Sequence, residues 1–266
     1  MNMIVCCKQI IDPEAPPASF KIDAASNRVI PPPNVPLVIS PFDANAVEAA
    51  LKVKDKQGGK ITILSMGSNL DVKVAKSPLS MGSDELVLLD DKAFEGGDSW
   101  TTANALAKAI QKIGQFDVIF CGRQAADWDA GQVGSGLAQI LGLPIVTLAK
   151  KVEIADGKAR IERVVPDGYQ VVEVTLPAII TVSNEIGEPR IAKLQGIMAA
   201  GKKQPIVWKP ADIGIDESQL GESGRKSRLL KLFQPVREGK CEMIQGETLL
   251  EAAEKLGDKL REAKLV

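Results

Sequence analysis

The first half of the chain alternates two periodicities, and that alternation limits its fold more than any other feature. Short apolar runs at 3–7, 60–66, 85–89, 116–121 and 144–148 read as buried strands. Between them lie segments whose apolar residues recur at helical spacing. The stretch 42–56 carries Ala46, Ala49, Ala50 and Val53 on one face and stops at Gly58-Gly59. The stretch 99–113 carries Ala103, Leu106, Ala107 and Ile110, with Asp98 placed as its N-cap. A helix over 130–141 closes at Gly142, and one over 70–81 is kinked or ended by Pro78. Strand, helix, strand, helix with short Gly-rich joints predicts an α/β fold, a mostly parallel doubly wound sheet covered on both faces. The segment 27–38, with four prolines, interrupts this order as an extended surface excursion.

After Lys150 the character changes. Residues 152–154, 159–165 and 170–174 alternate apolar and polar around turns at Asp156-Gly157 and Asp167-Gly168, the pattern of an antiparallel ribbon. Residues 178–182 (AIITV) are apolar throughout and suit a return to the central sheet. From about Pro205 the pattern fades into Gly, Ser, Pro and charged residues, until Leu249, Ala253, Leu256 and Leu260 form the stripe of a last amphipathic helix. The division expected is an α/β domain over 1–205 and a C-terminal arm with its helix over 206–266. Periodicity leaves two readings of that helix open, one folded onto its own domain and one gripping a partner.

Composition removes several function classes. With 33 basic and 34 acidic residues the net charge is -1, so no single-signed field points to nucleic acid. Aromatics are 4% of the chain, too few for base-stacking platforms. No apolar run reaches the roughly 18 residues of a membrane span. The opening MNMIVCCKQIIDPE has no charged leader and no small-residue cleavage site. It reads as a first strand of a cytoplasmic protein. The four cysteines (Cys6, Cys7, Cys121, Cys241) have the spacing of neither a zinc site nor a disulfide framework. Histidine is absent, which excludes Ser-His-Asp and Cys-His catalysis.

The segment 121–134, CGRQAADWDAGQVG, leaves a strand and enters a helix. In an open parallel sheet ligands bind at the carboxyl ends of strands, and a helix N-terminus offers free N–H groups and a positive dipole end to a phosphate. Gly122, Gly131 and Gly134 permit close backbone approach, and Arg123 adds charge-assisted bonds. Gln124 and Gln132 suit the polar edges of a nucleotide, while Asp127 or Asp129 caps the helix or accepts from ribose. Neither common phosphate-loop motif is present. Structure alone also accounts for Gly and Asp at such a joint. A second stretch, Phe94-Glu95-Gly96-Gly97-Asp98, is explained by a turn and an N-cap. Around Leu194, Ile197 and Met198 the choice is between a docking surface and an ordinary buried helix, and composition favours burial.

Taken together, these segments resemble the beta subunit of electron transfer flavoproteins. IVCCKQIID is similar to the family's first strand and following Lys. Ser40-Pro41-Phe42-Asp43 resembles its Asn-Pro-Phe/Tyr motif, with Ser40 in place of Asn. CGRQAADWDAGQVG resembles its adenine-nucleotide loop, with Trp128 bulkier than usual and Ala130-Gly131 departing from commoner forms. Ile161-Glu162-Arg163 through Leu176-Pro177-Ala178-Ile179-Ile180-Thr181 follows the family pattern, with Pro166 where an acidic residue is usual and Asp167 where Gly is common. Glu188-Pro189-Arg190 and 194–203 resemble its partner-docking stretch.

The resemblance implies a heterodimer with an alpha subunit, FAD shared with it, and electrons passed from an acyl-CoA-type or other dehydrogenase to an acceptor. It implies AMP or a second FAD in this subunit, lined by Cys6, Ser40, Pro41, Phe42, Asp43, Met66, Gly122, Arg123, Gln124, Ala125, Ala126, Asp127, Trp128, Asp129, Ala130, Gly131, Gln132 and Val133. Leu194, with Ile197 and Met198, becomes the docking surface, and the C-terminal arm embraces the alpha subunit. Arg123-Gln124-Ala125, Gln132-Val133-Gly134 and the 94–98 stretch lean toward the electron-bifurcating branch, where NADH is a candidate donor. An electron carrier of this kind needs no general base. The alternative class is an ATP-sensing regulatory protein of related α/β fold, which needs neither ribbon nor arm. A ligase or hydrolase of that fold group requires a Ser/Gly loop where Cys7-Lys8-Gln9-Ile10-Ile11 stands.

Overall fold

The computed structural model describes residues 1–235, 239 and 241–266. In chain order the elements are β1 (Asn2–Cys6), β2 (Gln9–Ile11), β3 (Lys21–Asp23), β4 (Arg28–Ile30), β5 (Leu37–Ile39), α1 (Pro41–Gln57), β6 (Lys60–Gly67), α2 (Val72–Ala75), α3 (Ser77–Met81) and β7 (Glu85–Asp90). There follow α4 (Ser99–Ile113), β8 (Val118–Gly122), α5 (Val133–Leu141), β9 (Ile145–Ala155), β10 (Lys158–Val165), β11 (Gly168–Thr175), β12 (Ala178–Val182), α6 (Leu194–Lys202), β13 (Ile206–Trp208), α7 (Gly221–Gly224) and α8 (Leu249–Glu262). The central sheet has nine strands in the order β11-β10-β9-β12-β8-β1-β6-β7-β13. Pairing is parallel from β9 to β13 and antiparallel through the β9-β10-β11 ribbon. The fold is thus the expected α/β class with a mostly parallel sheet.

Alternate residues of the central strands feed two cores. Met3 and Val5 pack with Ala46, Val47 and Ala50 of α1. Ile4 and Cys6 pack on the other side with Leu106 and Ile110 of α4 and Leu137 of α5. Burial on both faces explains why these strands read as continuous apolar runs instead of alternating ones. α1 leads from β1 to β6 on one side, and α4 returns from β7 to β8 on the other. The strand order therefore reverses between β1 and β8, and the crevice at their carboxyl ends is the topological switch point.

Several boundaries differ from the sequence expectation, each for a local reason. The helix expected over 70–81 is two short ones, broken at Lys76 ahead of Pro78. The helix expected from Ala130 begins at Val133, because Asp129 (φ 50°) and Gly131 (φ 62°) are left-handed. The strand at 144–148 and the first ribbon strand are one, β9, bent where Leu148 takes φ 59° and its N–H donates to Thr181 Oγ1 at 3.1 Å. The proline-rich excursion holds β4 and β5, which pair with β3 and β2. Prolines hid both strands, each three residues long.

Beyond the division expected at 205/206 the chain continues in contact with the sheet. β13 extends the sheet beside β7, and Ile213, Ile215 and Leu220 are buried, so one compact unit runs Met1–Leu230. A three-residue strand and apolar residues scattered among Gly and Asp carry no readable period. The second unit, Lys231–Val266, contains α8, capped by Thr248, braced by a Glu251–Lys255 ion pair at 2.7 Å, and with none of its residues buried.

Asp98 caps α4 as expected, in a capping box with Thr101. Its second oxygen also accepts from Lys226 N (2.7 Å), Ser227 N (2.8 Å) and Ser227 Oγ (3.0 Å), which ties down the end of the first unit. Partial burial opposes ionisation, but the bonds from Thr101, Ser227 and Lys226 outweigh it and hold the carboxyl at about 2. A folded-state value below the unfolded 3.8 contributes stability above that pH and loses it as pH falls toward about 2. Asp98→Ala is expected to cost about 1–2 kcal/mol at neutral pH. Melting curves recorded from neutral to acid should show the gap to wild type closing over that window.

Candidate functional site

The crevice is built from three segments: the exit of β1 (Cys6–Lys8), the start of α1 (Ser40–Asp43) and the loop between β8 and α5 (Gly122–Gln132). Asp43 joins them. Its Oδ2 accepts from Lys8 N at 2.8 Å and its Oδ1 from Gly122 N at 3.1 Å, while the residue is 7% exposed. Ser40, fully buried, donates its N–H to Lys8 O (2.9 Å) and accepts from Ala126 N through Oγ (3.4 Å). The Lys8 ammonium pairs with Asp127 at 2.7 Å across the top.

Arg123 donates its N–H to Val182 O (2.9 Å) and Nη1 to Asn184 Oδ1 (3.3 Å), and its guanidinium lies over the Phe42 ring at 5.2 Å. Gln124 Nε2 donates to Asp129 Oδ1 at 2.7 Å, and Asp129 N to Ala125 O at 2.9 Å. Trp128, Asp129, Ala130, Gly131 and Gln132 are exposed, Trp128 by 56%. Val133 opens α5, whose N-terminus has no side-chain cap. Pro41 is the exposed first residue of α1. Cys6 lies buried beneath the crevice beside Cys121, and Met66 lies half-buried on β6, on the far side of β1 from β8.

Burial pushes the Asp43 carboxyl up to about 7, against the lowering effect of the Lys8 and Gly122 N–H groups and the Lys8 ammonium. Burial first, then the charge of Asp43, raises the Cys7 thiol. The Cys121 thiol is raised by its hydrogen bond to Cys6 and by burial. Neither thiol is a nucleophile near neutral pH. Among the described residues no group of His, Cys, Asp or Glu is placed to hold a metal. The donor set instead suits an anionic, hydrogen-bonding group. The α5 start has no side-chain cap, and the loop that leads into it carries the half-buried Arg123 and the exposed residues 127–132.

Sequence reasoning named Lys8 only as the Lys that follows the first strand, and did not single out Asn184. Lys8 was legible as the residue leaving a parallel strand, but Asn184 sits in a short 3-10 turn with no motif.

A second surface lies on α6. Gly196 sits so close to α3 that an added Cβ would meet Ser80 O at 2.3 Å, and Ala200 is buried. Because α6 packs through its small residues, Leu194 (72%), Ile197 (52%) and Met198 (60%) face outward. The composition-based preference for a buried helix is therefore incorrect. Arg190, just ahead of this helix, grips Glu48 of α1 through Nε at 2.8 Å and Nη2 at 3.1 Å.

Residues 33–213 match the electron transfer flavoprotein domain. Over its whole length the chain is 38% identical to the caffeyl-CoA reductase-Etf complex subunit CarD of Acetobacterium woodii, covering 100% of both. It is 37% identical to the electron transfer flavoprotein subunit beta of Thermoanaerobacterium thermosaccharolyticum, again covering 100% of both. The subunit beta from Clostridium acetobutylicum is also 37% identical, with 98% of each chain covered. The chain belongs to the electron transfer flavoprotein family, on its beta-subunit branch. Within this branch the matched segment takes in α1, the β8–α5 loop, the ribbon and α6. No helix among the described residues is long and apolar enough to cross a membrane.

Proposed function

We propose that this chain is the beta subunit of a cytoplasmic, heterodimeric electron transfer flavoprotein. It pairs with an alpha subunit, holds an adenine nucleotide in the β1/β8 crevice, and relays electrons from an acyl-CoA-type or other dehydrogenase to an acceptor. The observation that carries this reading is the β8–α5 loop, which opens at the switch point onto an α5 start with no side-chain cap. Arg123 and the first N–H groups of α5 would take the phosphate. Gln124 and Gln132 would take polar edges, and Phe42 and Trp128 supply aromatic surface. FAD shared with the alpha subunit supplies the one- and two-electron chemistry, and the protein's part is to bind, orient and exclude water.

Whether the nucleotide is AMP or a second FAD is read by counting it. A second FAD makes NADH the donor to test. The A. woodii relative is named for a caffeyl-CoA reductase complex, and a relative from Anaerotignum propionicum, 32% identical, is named acryloyl-CoA reductase electron transfer subunit gamma. Both names favour a partner acting on CoA thioesters. The unburied apolar stripe of α8 supports the arm as the grip on the alpha subunit.

The outward face of α6 is the proposed dehydrogenase contact. Leu194→Glu in the co-purified heterodimer is expected to slow reduction by the partner dehydrogenase about tenfold or more, with flavin content unchanged. Stopped-flow absorbance reads both. An unchanged rate removes α6 from the docking surface, and failure to isolate any flavin-bearing heterodimer removes the carrier reading.

A further inference from the structure

Resting on the nucleotide reading of the crevice, we propose that Asp43 is a positioning residue: its carboxylate ties the exits of β1 and β8 into one lip, and the nucleotide binds to the lip so tied. The resemblance alone places Asp43 among the residues lining the nucleotide. The geometry assigns it another task. Both oxygens are committed to backbone N–H groups, Lys8 N at 2.8 Å and Gly122 N at 3.1 Å. The side chain is buried beside Gly122, where an added Cβ would meet Asp43 Oδ1 at 2.5 Å. The two residues it holds are the roots of two polar segments of the site. Lys8 carries the ammonium that pairs with Asp127, and Gly122 starts the loop that presents Arg123 and Gln124. A displaced Asp43 carboxylate releases both roots at once.

The groups facing this carboxylate are the Lys8 ammonium, the Asp127 carboxylate, and the buried thiols of Cys7 and Cys121. The Arg123 guanidinium stands beyond, over the ring of Phe42. Only Lys8 and the two N–H groups favour ionisation, and burial opposes them, so the carboxyl titrates at about 7. The ionised form accepts both N–H bonds at full strength, and the protonated form holds them weakly. The sign for the fold is opposite. A folded-state value raised above the unfolded 3.8 contributes stability at low pH that is lost as pH rises through about 7. Binding competence and fold stability therefore diverge across neutrality at this one residue.

The test uses the co-expressed heterodimer, stripped of nucleotide, with AMP and FAD each titrated calorimetrically from roughly pH 5.5 to 8.5. The AMP phosphate titrates near 6 itself, so the reading is the difference between wild type and Asp43→Asn. The Asn amide accepts from one N–H but sets its own N–H against the other. At the alkaline end the variant should bind about tenfold or more weakly than wild type. Below about 6 the gap should close as wild-type affinity falls. Equal affinity at the alkaline end, or a gap independent of pH, overturns the proposal.

Hydrogen exchange of the Lys8 and Gly122 amides in wild type keeps the question decidable if the variant does not fold. Their protection, corrected for intrinsic rates, should drop below about 7. Constant protection overturns the proposal. Binding of neither probe by the wild type at any pH overturns the nucleotide reading as well. Binding without the pH-dependent gap overturns only the role of Asp43.

Discussion

Gly122→Ala is expected to lower stability by about 3–5 kcal/mol and to abolish nucleotide retention. No positive φ is recorded at Gly122, so the requirement is for space and not for conformation. A Cβ there would lie 2.5 Å from Asp43 Oδ1, 2.7 Å from Phe42 C and 2.9 Å from Asp43 N. Two of these three atoms are backbone at the first turn of α1 and cannot rotate aside. Relieving the overlap means moving α1 away from β8. Overpacking of this kind costs about 1–3 kcal/mol. The same movement breaks the Gly122 N–H bond to a buried carboxylate, a charged-group bond of about 1.5–3 kcal/mol. For a compact unit of this size each kcal/mol moves Tm by about 2–4 °C, so a fall of about 6–20 °C is expected. A Tm within a degree or two of wild type would mean that β8 and α1 are looser than the geometry described.

Arg190→Met is expected to cost about 3–5 kcal/mol, because it strands the Glu48 carboxylate. The Glu48 side chain is 6% exposed, and it accepts from Arg190 Nε (2.8 Å), Nη2 (3.1 Å) and the Arg190 backbone N (3.0 Å). Arg190 reaches onward to Asp55 at 2.7 Å, a pair on the solvent side that contributes little by itself. The large term is the buried charge left without its fork of donors. Removing that charge too should recover most of the loss, so Arg190→Met with Glu48→Gln is expected to be clearly more stable than Arg190→Met alone in urea titrations. Equal stability of single and double variants would contradict the assignment. Arg190→Lys supplies charge without the bidentate fork and should fall between. Because Arg190 leads into α6, the single variant should also slow partner reduction, linking a tether inside the fold to the proposed docking surface outside it.

How much of this was readable beforehand depends on the physical signal each part carries. Long helices announced themselves, α4 by its apolar period and its cap at Asp98, α1 by its alanine-rich repeat and the stop at Gly58. Central strands did so by unbroken apolar runs, since both faces of β1, β8 and β12 are buried. The loop at 122–132 was legible as a joint between a strand and a helix, whereas its place at the switch point comes from the strand order, which no local pattern carries. What sequence could not carry was direction. Asp43 entered the lining through the resemblance of the 40–43 motif, which carries no side-chain direction, and in the fold its carboxylate accepts from two backbone N–H groups. The α6 apolar residues read as core because composition does not say which side of a helix packs. Gly196 and Ala200 held that information. β13 and the buried Ile213, Ile215 and Leu220 escaped because three-residue strands and isolated apolar residues have no period.

The central claim is that this chain brings an adenine nucleotide of its own to an electron-transferring heterodimer. The most direct measurement is to co-express it with its alpha-type partner, release the bound nucleotides with acid and quantify them by chromatography. The account predicts a nucleotide beyond the shared flavin: one FAD with one AMP, or two FAD, per heterodimer. One FAD and no second adenine nucleotide would contradict the crevice assignment. ATP bound to this chain without any stable heterodimer would contradict the carrier reading and favour the regulatory alternative.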